Sequence, residues 1–206
     1  MTKIYLVRHG QDQDNANGIL NGQRNQPLTE IGKEQARVLA EKVKELDLHI
    51  DKVYSSPLDR AYFTAEAVTE ALGLEKPEKL DLLIERDFGI MTGQPQSNIL
   101  EMCSPDIIQA EVITYFLSPE RAETFPQLVE RSKKIFTWLE ENAKYETILL
   151  TTHGDIGKMM YAAYYDEDWK DVLLKFHFGN SEVLLLDRDS KPEDRHVHKT
   201  DKQYNK

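Results

Sequence analysis

The sequence predicts an α/β fold, a three-layer α/β/α sandwich around a mostly parallel central sheet. Two observations predict it. Short apolar runs at 3–8, 51–56, 80–85, 146–153 and 181–187 read as buried strands. Between them lie stretches whose apolar residues recur at helical spacing, and strands alternating with helices build parallel sheets covered on both faces. The 206 residues suffice for one domain with a full hydrophobic core. There are no internal repeats.

The elements follow in order. KIYLVR (3–8), bounded by Gly10, reads as the first strand. Residues 10–28 are polar and broken by Gly18, Gly22 and Pro27, so they read as a loop. Ile31, Ala36, Leu39, Ala40, Val43 and Leu46 mark a helix capped by Thr29. DKVYSS (51–56) is a second strand; Pro57 suits a first helical position, and Gly73 stops that helix. LDLLIE (80–85) is a third apolar segment. The stretch 89–125 mixes Gly, Pro and a helical pattern around 105–117, and is predicted to be a small cap or insertion over one end of the domain. Pro126 starts a helix reaching about Ala143, with Leu128, Val129, Ile135, Phe136 and Leu139 inward. ETILLTTH (146–153) is a strand, 156–165 a helix, and SEVLLLD (181–187) the last strand. The domain is assigned to 1–188, and the polar residues 189–206 to a flexible tail.

The formal net charge of −10 argues against a nucleic-acid partner, which needs a positive face, but not against one local positive pocket. The single cysteine, Cys103, can form no internal disulfide, and nothing requires an oxidising compartment. The apolar run before Arg8 is too short for a signal peptide or a membrane span. A cytoplasmic protein without a membrane partner is expected.

Ligands of open α/β sheets bind beyond the carboxyl ends of the strands. Those ends deliver Arg8, His9 and Gly10; then Ser55 and Ser56, followed by Arg60; then Glu85 and Arg86; then His153 and Gly154. These types suit phosphoryl transfer. Arginine grips phosphate oxygens with a planar fork, so Arg8 and Arg60 can hold one phosphoryl group from two sides. The helix after His153 and Gly154 offers N–H groups and a positive dipole end. A neutral histidine nitrogen is a nucleophile, and a glycine beside it allows close approach to a ligand. A carboxylate of raised pKa can protonate the leaving oxygen. Arginine and histidine supply the positive charge, so no metal and no cofactor is expected.

The segments LVRHGQDQDN (6–15), NQPLTEIGKEQA (25–36), SSPLDRAYFTAE (55–66), LLIERDFGIMTG (82–93) and LTTHGD (150–155) resemble the histidine phosphatase superfamily, the phosphoglycerate mutase-like fold. They occur in the family's order and span most of the chain. The resemblance implies that His9 becomes a phosphohistidine, that Arg8, Arg60 and His153 bind and polarise the phosphoryl group, and that Glu85 is the proton donor. It implies that Asn15 contacts phosphate, that Gln23 or Arg24 touches substrate, and that the Gly154 N–H contacts the oxyanion. The implied activity is a phosphomonoester hydrolase acting on a small phosphorylated metabolite. The alternatives are a 2,3-bisphosphoglycerate-dependent phosphoglycerate mutase, and a binding protein without turnover. Mutases of this type carry a long insertion between the acid and a following Glu-Ser or Glu-Thr pair. Here Glu85 and Glu123-Thr124 are separated by a short stretch, which favours hydrolysis.

The chain departs from the family where Gln11 and Asp12 follow the RHG, in place of Glu-Thr, and where Asn25 replaces an aspartate. Asp12 would be repelled by a phosphate, so it is expected to point away or to bind a substrate hydroxyl. Glu101 and Asp87 compete with Glu85 for the acid role, and Arg86 suits an ion pair as well as a substrate contact. Cys103, His49 and His177 read as structural, Tyr161, Tyr164 and Tyr165 as core and rim. His196 and His198 make a poor metal site on a polar tail.

Overall fold

The computed structural model describes residues 3–143, 147–191 and 194–199. The strands are β1 (Lys3–Arg8), β2 (Lys52–Ser55), β3 (Glu78–Lys79), β4 (Ile107–Gln109), β5 (Thr114–Phe116), β6 (Thr147–Thr152), β7 (Val183–Leu186) and β8 (His196–His198). The helices are α1 (Gln13–Asn17), α2 (Glu30–Glu45), α3 (Asp59–Leu72), α4 (Ile99–Cys103), α5 (Phe125–Asn142), α6 (Gly154–Tyr165) and α7 (Trp169–Lys175). The main sheet runs in the order β3-β2-β6-β1-β7-β8. Its first four strands are parallel, and β7 and β8 add antiparallel at the other edge.

The alternation of side chains explains why the strands read as unbroken apolar runs. Ile4 and Leu6 of β1, with Ile148 and Leu150 of β6, pack under α5, α6 and α7. Tyr5, Val7 and Leu149 point the other way, onto Leu39, Ala40 and Val43 of α2 and Ala65 and Val68 of α3. Both faces are covered, which is the expected three-layer sandwich. Thr29 caps α2, its hydroxyl accepting from the Gly32 N–H at 3.0 Å.

Several local expectations are corrected. The helical pattern around 105–117 is a two-stranded antiparallel hairpin, β4 with β5. Its β-branched and aromatic residues flank the short connection Ala110-Glu111-Val112-Ile113, and pairing buries Tyr115 and Phe116. Helix α4 lies just before it. This segment has its own small core of Leu20, Phe88, Met91, Ile99, Cys103 and Phe116. Residues 80–85 hold a single 3-10 turn, Asp81–Leu83, and the paired strand is the short β3 before it. The Leu83 carbonyl accepts from Thr152 Oγ1 at 2.8 Å, which ties this turn to the end of β6. The loop 10–28 contains α1, capped by Asp12 and ended by Gly18 in the left-handed region at φ 66°. Helix α3 begins two residues beyond Pro57. Part of the assigned tail is built into the sheet. The Arg195 carbonyl accepts from Leu185 N–H at 2.8 Å, β8 pairs with β7, and Arg195 stacks 3.5 Å from the Tyr165 ring. The expected tail beyond Lys199 lies outside the described residues. No helix among the described residues is long and apolar enough to cross a membrane.

One close approach positions the end of β1. A Cβ built on Gly32 would stand 2.0 Å from the Gln11 carbonyl oxygen, and one on Gly10 would stand 2.4 Å from the Gly32 carbonyl oxygen. Both neighbours are backbone, so no rotamer change relieves the clash. The approach of α2 is thus by itself a reason for glycine at Gly10. Gly32→Ala is expected to destabilise the fold by about 1–3 kcal/mol, the usual cost of overpacking. Urea unfolding checks it, as a lower midpoint at unchanged slope.

Candidate active site

Strands β1 and β6 lie side by side with Arg8 opposite Thr152. The next residue of each, His9 and His153, therefore leaves the sheet at the same place. Their ring centroids are 5.0 Å apart. This is a strand-end crevice of the kind that α/β sheets use for ligands.

The hydrogen bonds fix both tautomers. His9 Nδ1 lies 2.6 Å from the Gly10 carbonyl oxygen, which can only accept, so Nδ1 carries the proton and Nε2 the lone pair. His153 Nδ1 accepts from Arg60 Nε at 3.2 Å, so its Nε2 carries the proton and donates to Ser56 Oγ at 2.7 Å. Burial, followed by the charge of Arg60, holds both histidines well below the ordinary 6.5; Arg8 adds to this at both. Both rings are neutral at physiological pH.

Arg60 has none of its surface exposed. Its terminal nitrogens donate to the carbonyls of Arg24 (2.6 Å) and Gly22 (2.8 Å), and Nε lies 3.3 Å from Asp12 Oδ2. Each terminal nitrogen keeps a further N–H. The free fork expected from sequence is thus partly engaged, and Arg60 stands as a fixed charge behind the histidines. Asp12 is turned inward, and it is not among the residues lining the cavity beside Arg8. It is fully buried, accepts from Asn15 N–H and Asn21 Nδ2, and pairs with Arg60.

Arg8 donates to the Phe178 carbonyl at 2.8 Å, while its Nε is buried without a hydrogen-bond partner among the described residues. Its guanidinium carbon is 3.5 Å from where a Cβ on Gly154 would stand. The two residues face one cavity of about 580 Å³, which Asn15, Glu85, Lys158 and Asn180 also line. The cap supplies the opposite wall, with Val112, Ile113, Tyr115 and Phe116.

Glu85 is 5% exposed, whereas Asp87 and Glu101 are exposed, so Glu85 is the carboxyl that reaches the cavity. It accepts from the N–H groups of Arg86 (2.8 Å), Ile156 (3.2 Å) and Asp155 (3.3 Å). The N–H groups of Asp155 and Ile156 at the start of α6 thus serve this carboxyl, while that of Gly154 is not one of its donors. Burial, then the nearby Asp155 charge, raises its pKa above the usual 4.5, against those hydrogen bonds and Arg60. Arg86 is an ion-pair partner: Nε meets Asp155 Oδ2 at 2.8 Å, and the guanidinium sits among Phe88, Phe116 and Phe125.

The predicted set is therefore gathered, with differences. Arg8, Asn15, Glu85 and Gly154 line the cavity, whereas His9, Gly10, Arg60 and His153 are buried next to it and are not among its lining residues. Gln23 donates to the Glu85 carbonyl at 3.0 Å, and Arg24 pairs with Asp14 at 3.0 Å; neither lines the cavity. Asn180 is a residue that sequence reasoning missed. Its Nδ2 donates to the His9 carbonyl at 2.8 Å and to Asn15 Oδ1 at 3.3 Å. It precedes β7, and an antiparallel strand brings its start to the edge where parallel strands bring their ends. Among the described residues no group of three His, Cys, Asp or Glu side chains could hold a metal. His196 is paired with Glu182.

The model of the histidine phosphatase superfamily (branch 1) matches residues 4–198. Phosphoserine phosphatase 1 of Hydrogenobacter thermophilus is 29% identical over 163 residues, covering 79% of this chain and 76% of its own length. The 2,3-bisphosphoglycerate-dependent phosphoglycerate mutase of Parvibaculum lavamentivorans is 31% identical over 156 residues, covering 74% of each. The crystal structure of an Entamoeba histolytica phosphoserine phosphatase with 3-phosphoglyceric acid superposes with a TM-score of 0.72 at 25% identity, covering 90% of each chain.

The Arg60–Asp12 pair generates a prediction. Arg60→Ala leaves the buried Asp12 uncompensated and is expected to cost about 3–5 kcal/mol of stability. Adding Asp12→Asn should recover part of that loss. Chemical denaturation of the two variants checks this, and full additivity of the two substitutions would contradict the coupling.

Proposed function

Because the chain belongs to the histidine phosphatase superfamily, we propose that it is a phosphomonoester hydrolase acting on a small phosphorylated metabolite through a phosphohistidine at His9. The observation that carries this reading is the state of His9, buried, neutral and protonated at Nδ1. A neutral imidazole with a lone pair on Nε2 is a competent nucleophile at neutral pH.

In the first step Nε2 attacks phosphorus in line. The Nε2–P bond forms as the bond from phosphorus to the alcohol oxygen breaks. Glu85, whose pKa burial raises, gives its proton to that oxygen. In the second step water attacks phosphorus, Glu85 takes a water proton, and the Nε2–P bond breaks. Phosphate leaves, and neutral His9 and protonated Glu85 are restored. Arg8 offers the developing charge a donor without a protein partner, and Arg60 supplies fixed positive charge from behind. His153, held by Ser56 and Arg60, keeps its ring beside that of His9.

A mutase would use the same residues and return the phosphoryl group to a second oxygen. The cap between Glu85 and Glu123 is short, holding two 3-10 turns, a five-residue helix and a hairpin, which supports water as the acceptor. The lone Cys103, which needs no oxidising compartment, supports a cytoplasmic enzyme.

Rapid-quench mixing with a labelled phosphomonoester is expected to trap an acid-labile, base-stable phosphoenzyme that is absent from His9→Ala. Full turnover in His9→Ala would overturn the mechanism. Glu85→Gln is expected to lower kcat on an alkyl phosphate by about 10²–10⁴. Its effect on p-nitrophenyl phosphate should be far smaller, since that weakly basic leaving group needs no proton. Steady-state rates on the two substrates measure the difference.

A further inference from the structure

Lys158 lies on α6 one helical turn beyond Gly154 and is only 3% exposed. It lines the main cavity together with Arg8, Glu85 and Gly154, and it also borders an adjoining hollow of about 150 Å³. Its ammonium donates to Tyr115 Oη on the cap hairpin and lies 4.8 Å from that ring's centroid. Among the described residues it has no carboxylate within ion-pair distance. A buried ammonium is normally paired, because desolvation is costly.

The carboxylates that act on Lys158 from a distance are engaged elsewhere. Asp155 is bound by Arg86, Glu85 by three backbone N–H groups, and Glu182 by the Gly179 N–H and His196. Burial lowers the Lys158 pKa to about 8, which still leaves it cationic at neutral pH. The two chemical steps above use neither Lys158 nor Tyr115. Both are in the wall of the cavity that Arg8 and Glu85 line.

We infer that Lys158 and Tyr115 form a second anion subsite that reads a carboxylate on the leaving alcohol, so that the preferred substrates are short phosphorylated acids. This rests on the phosphatase reading above. The placement fits: Gly154 and Lys158 are one helical turn apart on α6 and open onto the same cavity as Arg8 and Glu85. One ammonium and one phenol match a single negative charge. A second phosphate would leave excess charge facing Asp155 and Glu85.

The test compares kcat/KM for 3-phosphoglycerate and glycerol 3-phosphate, which differ in whether a carboxylate ends the three-carbon chain. A charge-assisted contact corresponds to a preference of about 10–100-fold for the acid in the wild type. In Lys158→Met the preference is expected to collapse to about threefold or less, through KM of the acid. Tyr115→Phe, a change on the cap hairpin outside the sheet, should reduce it in the same direction. A wild-type ratio near one overturns the inference, as does an unchanged ratio in folded Lys158→Met or in Tyr115→Phe. If the wild type hydrolyses neither ester nor p-nitrophenyl phosphate, the phosphatase reading itself fails.

Discussion

A guanidinium is charged at every accessible pH, and Arg60 is buried completely. Such a charge is tolerated only if the surrounding chain supplies its partners. Here they come from separate stretches of sequence: carbonyls from the loop at Gly22 and Arg24, the carboxylate of Asp12, and the ring of His153. Arg60 therefore fastens the loop after β1 to α3 and to the end of β6. The cavity wall, the histidine tautomers and the local potential all follow from that attachment.

The same charge explains why two histidines can sit buried and 5.0 Å apart. Beside Arg60 and Arg8 neither ring gains by taking a proton, and burial opposes it further. The sign of the consequence for stability is clear. Their folded pKa values lie below the unfolded value of 6.5. The unfolded chain therefore binds more protons as pH falls through 6.5, and stability drops on the acid side. Glu85 is shifted in the opposite sense, upward, by burial and by Asp155. A base kept free and a carboxyl shifted toward its protonated form thus coexist at one end of the sheet, which is the direction that acid–base chemistry at neutral pH requires.

Much of this was legible in the sequence, for physical reasons that also mark where legibility stopped. Strands buried on both faces must be continuously apolar, so β1, β2 and β6 stand out, and with them the residues at their ends. Where an apolar run is short, periodicity does not separate hairpin from helix, and the cap hairpin β4–β5 reads as a helix. The order of strands hides Asn180, because only an antiparallel partner could bring it beside His9. Asp12 is ambiguous for another reason. A carboxylate near a phosphate site looks repelled until the buried cation that holds it is known. Gly10 shows a similar limit: its need for a small residue is real, but the neighbour that imposes it is the backbone of Gly32.

The central claim is that the bond from His9 Nδ1 to the Gly10 carbonyl leaves Nε2 neutral and nucleophilic. Nitrogen NMR of the resting enzyme with labelled histidine reads this directly, since the two tautomers and the imidazolium have distinct shifts. The expected result is an Nδ1–H neutral ring for His9 that persists as pH is lowered through the ordinary value of 6.5. An Nε2–H tautomer, or protonation of His9 near that value, would contradict the account.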